Sequence, residues 1–164
     1  MAIKDSFIGE LKHESMLTRK MLERVPLDKK EWRPHAKSST VGRLATHIAE
    51  THRWIATILG GDEFDFAKAD FKNHTASSTE ELLQILDLHL RNALEALSKA
   101  TDEDFSKTWS IKRGGQLLSA PRKDVAVRGW GFSHTYHHRG QLSVYLRLLD
   151  VPVPGMYGPS ADER

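Results

Sequence analysis

The sequence predicts an all-α fold, a four-helix bundle, and three observations carry that expectation. Four long stretches repeat their apolar residues at the three-and-four spacing of an amphipathic helix. The connections between them are long, and the chain ends in a Pro/Gly-rich tail that forbids a further helix. The 164 residues, 39% hydrophobic and 28% charged, are about one domain's worth and can bury a core without disulfides, so residues 1–164 are expected to form a single domain.

The first helix is expected over about Asp5 to Arg24, with Ile8, Leu11, Leu22 and Val25 on one stripe and the small Ser15 and Thr18 between them. Val25-Pro26 ends it. Leu27 to Lys37 has no period and reads as a loop whose Trp32 packs onto the helices. Ser38 or Ser39 can cap a second helix, about Thr40 to Leu59, with Val41, Leu44, Ile48, Ile55 and Leu59 as its stripe and Gly60-Gly61 as its stop. At about 100° per residue, His47 and His52 fall on opposite flanks of that stripe and are not expected to share a cavity.

Asp62 to Ser77 is polar and carries Phe64, Phe66 and Phe71 off any helical spacing, as a long loop does whether it serves as a pocket wall or as plain packing. Ser78-Thr79-Glu80-Glu81 is a capping-box signature opening a third helix, in which Leu83, Leu86, Leu90, Ala93, Leu94 and Leu97 recur to about Lys99 and His89 is a boundary residue. Thr108 to Leu118 alternates briefly around Gly114-Gly115, as a small hairpin or an extended crossover would. After Pro121 comes the longest helix, about Arg122 to Leu149, whose inward side is read as Val125, Trp130, His134, His138, Gln141, Val144, Tyr145 and Leu148. The tail, Val151 to Ser160, is expected to lie against the body through Val153, Met156 and Tyr157.

Composition excludes several chemistries. With no cysteine there is no thiolate nucleophile and no Cys-ligated metal, so a metal must be held by His, Asp, Glu or water. Formal net charge is +2, from 24 basic and 22 acidic residues that are interspersed, and this is not the footprint of a nucleic-acid binder. Arg122, Lys123 and Arg128 read as solvated helix-end charges. No apolar run approaches the length of a membrane span and no signal peptide opens the chain, so no membrane partner is expected and the cytoplasm is the expected location.

Within that frame the histidines stand out. His134 and His138, four apart on one helix, present imidazoles on the same face, the spacing at which two nitrogens share one metal ion. His137 points elsewhere. The same spacing also suits a pair flanking a salt bridge or a tight helix crossing. His47, in Leu44-Ala45-Thr46-His47-Ile48-Ala49-Glu50, offers a third imidazole from another helix, and three neutral imidazoles leave positions open for water and substrate. No side-chain nucleophile can be assigned, so any reaction would fall to water or a thiolate activated at the metal. Glu50 and Gln141 are the candidate helpers: Glu50 as a proton acceptor three residues after His47, Gln141 as a group orienting a ligand ring or, with Arg139, tying helix ends or the tail together. Gly140 is read as a point of close helix approach. His52 and His137 are read as pocket-edge or surface residues, and Trp54 and Tyr136 as core, pocket-wall or dimer-face aromatics.

The segments around His47 and His134-Thr135-Tyr136-His137-His138-Arg139-Gly140-Gln141, with the ending Val153-Pro154-Gly155-Met156-Tyr157-Gly158-Pro159-Ser160-Ala161-Asp162-Glu163, resemble the damage-inducible DinB family of metal-binding four-helix bundles. The resemblance implies up-down-down-up connectivity, a homodimer, and a divalent metal held by His47, His134 and His138. It also implies kinship with bacillithiol-dependent S-transferases and mycothiol-dependent isomerases, in which a metal activates a low-molecular-weight thiol. The expectation is therefore a metal-dependent enzyme acting on a small-molecule substrate, with Ni, Zn, Fe or Mn as metal and a small thiol as co-substrate. The alternatives are a metal-dependent hydrolase and a non-catalytic metal- or ligand-binding stress-response protein.

Overall fold

Four helical runs carry the chain in the computed structural model, which describes residues 2–70 and 74–163. The expectation for Phe71 lies outside these residues. α1 (Ile3–Leu22) is the first run, and α2 (Val41–Glu50) with α3 (Arg53–Gly60) makes the second. α4 (Thr79–Lys99) is the third. After the short α5 (Asp102–Ser106), the fourth run joins α6 (Lys123–Ala126), a π-helical segment (Val127–Ser133) and α7 (His134–Leu148).

The all-α expectation needs correction, because a strand after the second run and a hairpin between the third and fourth make a small sheet. β1 (Glu63–Asp65) pairs in parallel with β2 (Ser110–Arg113), which pairs antiparallel with β3 (Gln116–Ser119). Gly114 and Gly115 close the hairpin with φ of 58° and 81°, the left-handed pair that a two-residue primed turn requires. The Asp65 carboxylate accepts both their N–H groups at 2.8 Å and so ties β1, inside the stretch read as loop, to the hairpin. Phe64 and Phe66 pack around Trp54. Lys123, read as a solvated charge, is buried and paired with Asp62 at 2.9 Å.

Each long run passes through two apolar clusters with polar residues between them. α1 contributes Phe7 and Leu11 to one cluster, then Met21 and Leu22 to the other, with Glu14, Ser15 and Thr18 buried in the gap. The second run starts in the latter cluster with Val41, Leu44 and Ile48, passes buried Thr51 and His52, and ends in the former with Trp54, Ile55 and Ile58. α4 goes from Leu82 and Leu86 to Ala93 and Leu97 in that same direction. The fourth run goes from Phe132 to Leu142 and Leu146, with Thr135 and Arg139 buried between. A buried polar belt thus crosses the molecule at mid-height. Buried polar groups persist only if partnered, and nearly all of these are: Arg139 donates to Glu14 Oε2 at 2.6 Å and to Thr18 Oγ1 at 3.2 Å, and Thr135 Oγ1 lies 2.8 Å from Thr51 Oγ1.

Two predicted helices are broken where the belt demands it. The second helix, expected unbroken to Leu59, turns at Thr51-His52. There Thr51 Oγ1 donates to the Ile48 carbonyl at 2.8 Å and the backbone N–H of Thr51, Trp54 and Ile55 all bond three residues back. Its cap is Thr40, whose Oγ1 accepts the Arg43 N–H at 3.2 Å, and neither Ser38 nor Ser39. In the fourth run burial recurs at five-residue spacing, Ala126 to Gly131 and Val127 to Phe132, which is the wide repeat of a π-helix; from Thr135 onward it returns to three and four. The slip rotates the inward face, so Val125, Val144 and Leu148, all read as inward, are exposed. The close approach falls at Gly131, where a Cβ would lie 2.6 Å from Ile55 Cγ1, and not at Gly140, beside which there is open space.

Candidate metal centre

The polar belt sets the positions of three histidines just outside it. His47 lies one turn before Thr51, and His134 immediately precedes Thr135, so the buried Thr51–Thr135 contact that joins α2 to α7 also sets His47 against His134. His138 immediately precedes Arg139, whose guanidinium is fixed on Glu14 and Thr18 of α1 and on the Tyr157 hydroxyl of the tail. Each ligand candidate on α7 thus has a neighbour in sequence that is anchored in the interior.

The three imidazoles converge. One ring nitrogen from each of His47, His134 and His138 lies within 4.8 Å of the other two, and all three residues are half-buried. Nε2 of His47 and Nε2 of His134 face each other at 3.1 Å. Gln141 Oε1 sits 2.8 Å from His138 Nδ1, which makes Nδ1 the protonated nitrogen and leaves the Nε2 lone pair free. Burial is the main cause that brings the His47 pKa down to about 3, helped by the charges of His138, His134, Arg43 and Arg53. Burial and His138 likewise bring His134 to about 4, against a smaller opposing pull from the Trp130 carbonyl. His138 is also lowered by burial, opposed by its bond to Gln141. Neutral imidazole is the form that ligates a metal.

Two members of the cluster, His47 and His138, line an open cavity of about 490 Å³ together with Gln141, Leu44 and Tyr145. That volume is in the range of small-molecule sites, about 300–1,000 Å³.

The chain is similar to known proteins along nearly its whole length. The family model of the DinB family matches residues 3–164. The chain belongs to the DinB family. It is 24% identical over 159 residues to the uncharacterised protein YrdA of Bacillus subtilis strain 168, covering 97% of this chain and 90% of that protein. Among solved structures, a DinB-like protein from Bacillus cereus ATCC 10987 superposes with a TM-score of 0.72 at 22% identity, covering 95% of this chain and 98% of the other. The DinB-like protein YjoA of Bacillus subtilis gives 0.71 at 16% identity, with 94% and 99% covered. These two likenesses establish a DinB-like fold.

The donor set of this DinB chain fits a divalent ion. Two imidazole nitrogens about 2.0–2.1 Å from one ion stand roughly 3.0–3.4 Å apart, and the observed His47–His134 separation falls in that interval. Of the two candidate helpers, Gln141 is at the site and Glu50 is engaged elsewhere: its Oε2 accepts from Arg43 Nη2 at 2.8 Å. His52, read as an edge or surface residue, is fully buried, with Nε2 3.0 Å from Ser15 Oγ, and takes no part in the cluster. His137 is exposed, its ring beside that of His138. Trp54 is core, and half-buried Tyr136 donates to Glu10 at 2.6 Å. Lys37 and Arg43 also line the cavity, and neither is a metal-ligand type. The signal for Arg43 is its place four residues before His47 on the same helix face.

Among the described residues, no helix is long and apolar enough to cross a membrane.

Proposed function

We propose that this chain is a divalent-metal protein whose metal is held by His47, His134 and His138 in a four-helix bundle of up-down-down-up connectivity, and that it transfers a small thiol to an electrophilic small molecule. The observation that carries the reading is the convergence of three imidazoles beside an open cavity that two of them, His47 and His138, line. The order in which the four runs visit the two apolar clusters supports the connectivity. The homodimer and the small-molecule substrate belong to the same reading.

A bound divalent metal supplies Lewis acidity that lowers the pKa of a thiol or water beside it. The protein's own residues do the rest. Gln141 keeps the proton of His138 on Nδ1 and the ring in one orientation. Leu44 and Tyr145 offer an apolar flank for the carbon skeletons of the reactants. In S-transfer the thiol loses its proton to solvent, sulfur donates an electron pair to form the new S–C bond, and the leaving group departs with the pair of the bond it breaks.

Hydrolysis is favoured less, because it needs a carboxylate as proton acceptor and Glu50 is held by Arg43. The test is incubation of metal-loaded protein with cysteine and an aryl halide electrophile. Formation of the S-conjugate that disappears in His47→Ala is expected. Conjugation at the same rate in His47→Ala contradicts the reading.

A further inference from the structure

The cavity beside the histidines has walls of one sign. Lys37 and Arg43 line it together with the hydroxyls of Ser38 and Ser39, and no carboxylate among the described residues does. Arg43 is preset: Nη2 donates to Glu50 at 2.8 Å and Nη1 to the His74 carbonyl at 2.7 Å. Of the five N–H groups of a guanidinium, these two bonds leave three, on a side chain that no longer has to be ordered when something binds. Lys37 is exposed and its ammonium makes no ion pair among the described residues.

A low-dielectric cleft lined by one sign of charge concentrates the opposite sign. Hydroxyls beside a lysine and a preset arginine are the donors that carboxylate and phosphate oxygens accept from.

We propose that the cavity binds a small acid, its carboxylate or phosphate group seated on Lys37, Ser38, Ser39 and Arg43, and its reactive end directed at the three histidines. This names the substrate class of the site above, and the orientation of the reactive end rests on the metal reading given there. The acid subsite itself does not.

The two claims separate experimentally. Succinate, inorganic phosphate and the neutral succinamide are titrated calorimetrically into metal-loaded and chelator-treated protein, for wild type, Lys37→Met and the Ser38→Ala/Ser39→Ala double variant. Lys37 sits on an exposed loop, so its variant is expected to fold and to keep the wild-type metal content. Succinate or phosphate is expected to bind both forms, and Lys37→Met to weaken that binding at least tenfold, with succinamide not bound. The stronger of the two anions decides between carboxylate and phosphate. Anion binding that is unchanged in Lys37→Met, or matched by succinamide, overturns the proposal. Lys37-dependent anion binding in a wild-type protein that takes up no metal upholds the acid subsite and overturns the metal reading instead.

Discussion

Gln141 shows how much of this site depends on a residue that is not itself a ligand candidate. Its Oε1 fixes the tautomer of His138 from one turn away, and outer-shell partners of this kind are worth about 10–100-fold in metal affinity. Gln141→Ala should therefore weaken zinc binding by about tenfold in a competition titration, while far-UV circular dichroism stays unchanged. His52 makes a separate claim about pH. Burial, then the charges of His89 and Arg139, bring its pKa to about 4 from an ordinary 6.5. Between those values the unfolded chain takes up a proton that the folded chain refuses, so stability is full above pH 6.5 and falls as pH drops toward 4. The loss from this residue should be about 2 kcal/mol between pH 6.5 and 5. Urea denaturation across that range should show a steeper slope for wild type than for His52→Gln. At this scale the histidine cluster was legible: His47, His134 and His138, singled out by spacing and motif, converge in the structure. The bond from Arg43 to Glu50 was not legible, because Arg43 lies seven residues back on the same helix and a sequence does not say which of two neighbours a carboxylate chooses. His52 was misread because its burial depends on Ser15 of another helix.

At the scale of elements, the departures from regular helix are where the site is built. The π-helical segment ends at Ser133, one residue before His134, and Gly131 within it lets α3 approach. Gly131→Ala would force a Cβ against buried Ile55 and should cost about 1–3 kcal/mol, as overpacking does. Gly140→Ala meets open space and should stabilise by about 1 kcal/mol, the helix propensity difference. Thermal melts of the two variants should move in opposite directions; the same direction would mean that the packing at Gly131 is looser than described. Four helical stretches were readable because their apolar periods are long, and the hairpin because Gly114-Gly115 is a turn signal. The breaks were not. Thr51-His52 lies within an uninterrupted apolar period, and a π slip changes phase without changing composition. Two glycines, Gly129 and Gly131, inside one helix are the trace it left.

For the whole molecule, two apolar clusters divided by a buried polar belt explain why the candidate site lies at mid-height. Arg139, Glu14, Thr18, Thr51 and Thr135 satisfy one another across α1, α2 and α7, and that network holds the helices in the register that brings His47 beside His134 and His138. The tail takes part as well, since Tyr157 sets its hydroxyl 2.9 Å from Glu14 Oε2 while most of its surface stays exposed. Neither the belt nor the pairing of β1 with the hairpin could be read beforehand, because both join residues far apart in the chain. Whether the three imidazoles hold an ion is tested directly by elemental analysis of purified protein. Wild type should carry about one divalent metal per chain, and His47→Ala, His134→Ala and His138→Ala should each lose most of it while remaining folded. Metal content that is unchanged in all three variants would contradict the claim.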